Sequence, residues 1–462
     1  MMTDRVLNKK NLLSLCFVSL FIHASFSLVA WFLNVDWLMI VDYCAMGLTG
    51  FAAVLFFARE KSTIRYQRAQ IILILFLLWY IISCLSMTIV FGSDWVDYNS
   101  YRMYQTALSV FFMFPLGYVL IREEKKSNIG QILLHMLLLG WTVFILVVLI
   151  YVLQGKAIYT PNNGIIFIDK STSLCLNCNR NTTGSWEMLF FLASCYMAFW
   201  NKKRSLRIVY IFASVIHYMA LMLSGSRACI FAVLGGFTIM VWIAAYMRLS
   251  KQRATRRMLI SIAIGLAAGA AYYFLRDFLI QFYSSSADVK LGGRAKMYVD
   301  VELSGRTLIW KYTIEGIFTS LRMALFGVTP ESIPEFLAQM SDRTIVDTYT
   351  HNQLLEITAG IGIPGLILFL AWFFIILKDI YKLVFVEKNV SPFWAFPAIV
   401  LVLMAANMME AYLVFFDHID SYAFFLLCGM IHGKVNAPVT VRQLTRQEIR
   451  RKEQERRKKK RR

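Results

Sequence analysis

Apolar residues arrive in this chain in runs of about twenty, and that spacing constrains the fold more than any other feature. About twenty apolar residues in a helix cover the roughly 30 Å hydrocarbon core of a bilayer. A buried helix of a water-soluble protein seldom contains one such run. Here they recur at approximately 12–33, 37–57, 70–91, 104–121, 130–153, 186–200, 206–223, 229–247, 258–275, 353–377, 393–416 and 419–433. Only 16% of the residues are charged, against about a quarter in a soluble domain. The expected fold is therefore an all-α polytopic membrane protein with about 12 transmembrane helices. The transmembrane domain spans 1–433, and a basic tail occupies 434–462.

Arg5, Lys9 and Lys10 precede the first run, as they would in a signal peptide, but the run from Leu12 to Leu33 is too long for a signal core. The segments between runs alternate in charge. One set carries 35 Lys and Arg and the other 13, eight of which lie in a single long loop. The positive-inside rule then puts both termini in the cytoplasm, in agreement with an even number of spans. The tail from Lys434 holds 13 basic residues, which suits anionic lipid headgroups beside the membrane. No domain accompanies that charge, so nucleic acid is not an expected partner. The eight cysteines are scattered and give no disulfide framework. Cys175 and Cys178 form one CxxC, read as unremarkable loop thiols or one disulfide.

Residues 276–352 are the long polar exception, placed outside by the charge pattern. A connection of that length usually carries function. Ser284-Ser285-Ser286 is flexible in character. Apolar residues at helical spacing from Arg306 to Phe318 predict a helix lying along the outer membrane surface. Phe326 to Pro330 reads as a turn, and Ile333 to Met340 as a second short helix.

Several residues are placed to do chemistry. His351 stands where the loop meets the tenth run, and an imidazole there can take a proton from a hydroxyl. It also fits as an interfacial residue beside a helix cap, with Asn352 as the cap. Arg227, in Leu223-Ser-Gly-Ser-Arg227, lies on the side where positive charge is scarce. A guanidinium grips a diphosphate through two oxygens at once, although it also serves as a snorkelling flank. Arg306 opens the surface helix, where a bound anion would gain from the helix N-terminus; a solvated loop charge is the alternative. Asn177, Asn179 and Asn181 offer either sugar contacts or a polar turn. His135, His217 and Glu410 inside the runs read as relay groups of a transporter or as local bonds between helices. Gly265 and Gly269 have the spacing of close helix packing. A P-loop, a dinucleotide fingerprint and HExxH are all missing, so the energy for any reaction would come from the substrate or a gradient.

Three pieces occur in order: Leu223-Ser-Gly-Ser-Arg227-Ala; then Ser304-Gly-Arg306-Thr-Leu-Ile-Trp310 with Phe326-Gly327-Val328; then His351-Asn352-Gln-Leu-Leu-Glu356 running to Gly360, Gly362 and Gly365. Over about 180–380 the chain resembles the O-antigen ligase family, which includes polysaccharide polymerases and protein O-oligosaccharyltransferases. The resemblance implies a GT-C-type helical membrane enzyme of the bacterial inner membrane. It would move a glycan from a polyprenyl (undecaprenyl) diphosphate carrier to an acceptor hydroxyl on the outer face, with inversion and without a metal or other cofactor. It further implies that Arg227 and Arg306 hold the diphosphate and that His351 assists the acceptor, with Asn352, Asn179 and Asn181 as possible glycan contacts. The acceptor is a growing polysaccharide, lipid A core or a protein, and these residues do not decide which. Two other readings remain: a lipid-linked glycan transporter or flippase, and a metal-dependent GT-C transferase using Asp36 or Asp42.

Overall fold

The computed structural model describes parts of 11–55, then 68–91, 102–103, 106–123, 129–153, 174, 180–249, 252–286, 305–345, 348–386, 395–415 and 418–436. We number its helices from Arg68: α1 Arg68–Phe91, α2 Phe114–Glu123, α3 Ile129–Leu153, α4 Arg180–Trp200, α5 Arg204–Ser224, α6 Arg227–Arg248 and α7 Ala254–Ser286. Then come α8 Arg306–Ile317, α9 Leu321–Phe326, α10 Ile333–Met340, α11 Gln353–Tyr381, α12 Phe396–Asn407 and α13 Ile419–Val435. No strand occurs among the described residues.

Among these residues, six helices are long and apolar enough to cross a bilayer, within α1, α3, α5, α6, α7 and α11. Shorter apolar helices lie at Ser14–His23, Leu108–Tyr118 and Phe396–Asn407. The expected runs at 12–33 and 37–57 fall partly outside the described residues, as do Asp36, Asp42, Cys175, Cys178 and the tail from 437. A large apolar core joins α1 to α6 with α11 to α13. Helices α4 and α5 pair, α6 packs on both α7 and α12, α2 lies on α13, and α11 lies on α1. Gly265 and Gly269 meet Trp242 and Thr238 of α6, the close approach that their spacing favours.

Three local departures from the expected spans matter for function. Helix α7 runs on to Ser286, eleven residues beyond the expected exit at 275 and through the serines read as flexible. Helix α4 starts at Arg180, so the polar stretch expected before residue 186 includes its first turns. The expected span 393–416 is helical only from Phe396 to Asn407, and the chain leaves the helix from there to residue 415.

The segment between α7 and α11, the outer segment of the expected topology, contains α8, α9 and α10 over a small core of its own, built from Ile317, Val328, Ile333, Phe336 and Leu337 against Met87 of α1 and Ala359 of α11. It is fastened to a break in α11. Ile361 and Gly362 leave the helical conformation, Gly362 with φ +76°. Pro364 has no N–H to give to Gly360, four residues back, and its ring crowds that carbonyl. The freed carbonyls are nevertheless satisfied. Val328 N–H donates to Ala359 O and Thr329 N–H to Gly360 O, both at 2.8 Å. The Trp79 indole donates to Ile361 O at 2.9 Å. Broken backbone is tolerated at membrane depth only under such cover, so the Phe326-Gly327-Val328 stretch and the glycines of α11 are two halves of one joint.

Candidate active site

The site is built around the unwound stretch after α12. Asn407 ends that helix by donating to Leu403 O (2.9 Å) while its Oδ1 accepts from Tyr412 N–H (2.7 Å). The stretch then finds partners on other elements. Asn352 Nδ2 donates to Met408 O at 3.1 Å, and Leu413 N–H donates to Gln353 Oε1 at 2.8 Å. Thr106 donates to Val414 O at 3.0 Å, Ser421 to Leu413 O at 2.7 Å, and Arg102 to Phe415 O at 3.3 Å. Buried backbone groups need such partners.

The result is that Glu410 sits at the junction, 2% exposed, with both oxygens engaged. Arg306 Nη2 donates to Oε1 at 2.5 Å, and His351 Nδ1 lies 3.1 Å from Oε2. Arg306 is 18% and His351 31% exposed, so both lie at the edge of the buried region. A carboxylate only accepts, so the proton between it and His351 is assigned to Nδ1. That leaves the lone pair on Nε2.

Local backbone sets these positions. Gly305 precedes Arg306 with φ +77°, in the left-handed region open to glycine. His351 itself has φ +49°, a conformation costing a side-chain-bearing residue on the order of 1 kcal/mol or more. Its neighbours hold it there. Thr350 N–H and Oγ1 both donate to Glu356 Oε2, at 3.0 and 2.6 Å. The Trp310 indole donates to Thr350 O at 2.9 Å, so the helix that carries Arg306 also fixes the segment that carries His351. Asn352 caps α11 through Oδ1, which accepts from Leu354 and Leu355 N–H. Its side chain is thereby committed to the cap and to Met408.

Arg227 opens α6 after the Ser224–Gly225–Ser226 turn and is half-buried. Gly184 of α4 packs directly against Ser224 and Ser226. Cys229, two residues into α6, lies within electrostatic range of Glu410, Arg306 and Asp420. Tyr412 is hydrogen-bonded with Thr182, and Ser185 donates to Asp420. The start of α4 thus packs on the turn before α6 and reaches the unwound stretch through Tyr412. Asn179 and Asn177 lie outside the described residues.

A further arginine braces the end of the unwound stretch. Arg102 pairs with Glu331, donates to the Tyr349 hydroxyl at 2.7 Å and sits 5.2 Å from the centroid of that ring. Burial raises the carboxyl of Glu331 above its ordinary range, against the lowering pull of Arg102. His217 and His135 stand elsewhere. His217, fully buried, bonds Glu187 Oε2 at 2.7 Å and Thr142 at 2.9 Å, while the other Glu187 oxygen accepts from Trp141. His135 bonds Tyr210. These are local bonds between helices, one of the two readings their sequence positions allowed. Among the described residues, no group of three or more His, Cys, Asp or Glu side chains is arranged to hold a metal ion.

Sequence reasoning read Glu410 as a relay group or a local bond between helices inside a span, and did not place it in the site. The available signal was its chemistry: a carboxylate in a predicted membrane segment needs a partner, and a nearby arginine or histidine is the natural one.

No curated protein matches the chain. Residues 212–370 match the family model described as O-antigen ligase, a stretch that includes Arg227, Arg306, His351 and the break in α11 but stops short of Glu410. The chain is thus a multi-pass membrane protein whose residues 212–370 are similar to the O-antigen ligase domain.

Proposed function

We propose that this protein transfers a glycan from a polyprenyl diphosphate carrier, of the undecaprenyl type, to an acceptor hydroxyl at the outer face of the bacterial inner membrane. The observation that carries the reading is the shared carboxylate: Glu410 holds Arg306 on one oxygen and His351 on the other. Cation and base are thereby fixed relative to one another before substrate arrives.

The acceptor oxygen attacks the anomeric carbon from the side opposite the diphosphate, which inverts that centre. His351 Nε2 takes the hydroxyl proton, since a neutral hydroxyl is a poor nucleophile. Negative charge grows on the departing diphosphate. Arg306 and Arg227 stabilise it as preorganised donors in a site partly closed to water. A guanidinium has five N–H donors; one from Arg306 goes to Glu410, and the fork geometry suits phosphate oxygens. In this reading the arginines stand where a GT-C enzyme of another kind uses a divalent ion. The acceptor is a growing surface polysaccharide, lipid A core or protein. Both termini lie in the cytoplasm, and the basic tail lies on anionic headgroups.

The test is to reconstitute the full-length chain with a synthetic polyprenyl-diphosphate-linked oligosaccharide and measure released carrier with and without chelator. His351→Ala and Arg227→Ala should each lower release by about 100-fold or more at equal levels of folded protein, and chelator should leave wild-type release unchanged. Equal release from wild type and both variants would remove the mechanism.

A further inference from the structure

The two ring nitrogens of His351 have different neighbours. Nδ1 faces Glu410, whereas Nε2 lies 3.2 Å from the hydroxyl oxygen of Thr348. With the proton on Nδ1, Nε2 presents one lone pair, and a lone pair binds one donor. That donor is the Thr348 hydroxyl. The same hydroxyl has a second acceptor in reach, the carbonyl of Tyr349 at 3.4 Å. Thr348 is half-buried, at the edge of the outer segment. The nitrogen that must receive a proton is therefore covered by a small side chain with somewhere else to turn.

We propose that Thr348 is a displaceable cap on the base: its hydroxyl occupies His351 Nε2 until an acceptor hydroxyl replaces it, and so keeps water from using the base. Thr348 acts through His351 and is a positioning residue. The inference deepens the glycan-transfer reading and rests on it. When an acceptor enters, its hydroxyl donates to Nε2 and Thr348 rotates to the Tyr349 carbonyl. The acceptor oxygen then bonds to the anomeric carbon. The bond from that carbon to the diphosphate oxygen breaks, its electron pair stays with the diphosphate, and the acceptor proton passes to Nε2. Water in the same position would carry out the same exchange and release free glycan, wasting the donor. A glycan or lipid acceptor is held by many contacts and displaces the cap, but a single water has few contacts with which to do so.

The test uses the full-length chain in proteoliposomes as wild type, Thr348→Ala, Thr348→Ser and His351→Ala, with equal melting temperatures as the folding check. The first readout needs no substrate. Diethyl pyrocarbonate acylates the unprotonated imidazole nitrogen, and mass spectrometry of the His351 peptide gives the rate. Thr348→Ala should react about fivefold faster, the population factor of one ordinary hydrogen bond, and Thr348→Ser should match wild type. Equal rates in wild type and Thr348→Ala overturn the cap, whatever the activity. The second readout supplies a synthetic polyprenyl-diphosphate-linked oligosaccharide with no other acceptor and follows free reducing glycan. Thr348→Ala should release it about fivefold faster than wild type, with none from His351→Ala. Faster acylation without faster hydrolysis overturns the role in excluding water. Failure of the transfer reading appears separately, as carrier release that does not depend on His351.

Discussion

Replacing Glu410 by glutamine tests the centre of the site, because it keeps the shape and removes one accepting oxygen. The carboxylate now receives Arg306 Nη2 at 2.5 Å and faces His351 Nδ1 at 3.1 Å. A carboxamide cannot serve both. If its oxygen stays with Arg306, its NH2 points at His351 and stabilises the tautomer with the proton on Nε2, which has no lone pair for the acceptor. If it turns over, its NH2 meets the guanidinium, donor against donor. Either way one hydrogen bond to an ionised group is lost, worth roughly 1.5–3 kcal/mol. At 1.36 kcal/mol per tenfold in rate, that is a loss of roughly 10- to 150-fold in kcat. Glu410→Asp keeps the charge but draws it back by one methylene, and should fall between wild type and Glu410→Gln. The assay is carrier release from a lipid-linked oligosaccharide by equal amounts of folded protein. The double variant Glu410→Gln/His351→Ala should be no slower than His351→Ala alone, since residues acting as a unit are not additive. Activity of Glu410→Gln within threefold of wild type, or full additivity in the double variant, would refute the reasoning.

Gly362→Ala places a side chain at φ +76° and drives it into the Leu325 carbonyl. The expected loss of stability is about 3 kcal/mol, seen as a lowered melting temperature in detergent; an unchanged melting temperature would separate the outer segment from the helix break. Trp310→Phe removes the donor to Thr350 O at 2.9 Å. It should cost on the order of 1–2 kcal/mol and lower carrier release together with stability. Glu331 gives a pH dependence. Burial raises its carboxyl in the fold, so its contribution to stability is fullest below the ordinary glutamate value of about 4.3 and is lost as pH rises through the raised value. The stability difference between wild type and Glu331→Gln should therefore shift against wild type as pH climbs from 4 towards neutrality, and a difference that stays flat would contradict the sign.

The helices were legible because hydrophobic run length is a direct physical requirement of the bilayer. A helix from Arg306, the short helix at Ile333–Met340 and the cap at Asn352 follow from local periodicity and local hydrogen bonding, and the structure has all three. What run length hides is interruption. Residues 408–415 are apolar enough to extend a span, yet they unwind because Asn352, Gln353, Thr106 and Arg102 offer their backbone other partners. None of those partners is near 408–415 in sequence. Glu410 was misplaced for the same reason: as part of a helix it would be a lone intramembrane charge, whereas on an unwound stretch it reaches the surface segment. The joint between Val328 and Ala359 was also invisible, although its two halves, Phe326-Gly327-Val328 and the glycines of α11, were recognised as separate motifs.

A continuous helix in a bilayer satisfies its own backbone and can do no more than display side chains along its faces. The site here is assembled where that rule is broken: after Asn407, at Ile361 and Gly362, and at His351 with its positive φ. Each break frees backbone groups that lipid cannot satisfy, and each is covered by a different part of the chain. Arg102 reaches the unwound stretch, Glu331 and Tyr349 at once, and residues 328–329 cover the break in α11. The outer segment is therefore part of the membrane fold and no detachable lid. Loosening it uncovers the breaks, and closing the breaks into regular helix would withdraw Glu410 from Arg306 and His351. On this argument, variants at Trp79 or Ser83, which hold the joint at Ile361 O and Phe326 O, should lower activity in proportion to stability although neither side chain touches the site. A variant at either position that loses activity with an unchanged melting temperature would show that fold and site are separable.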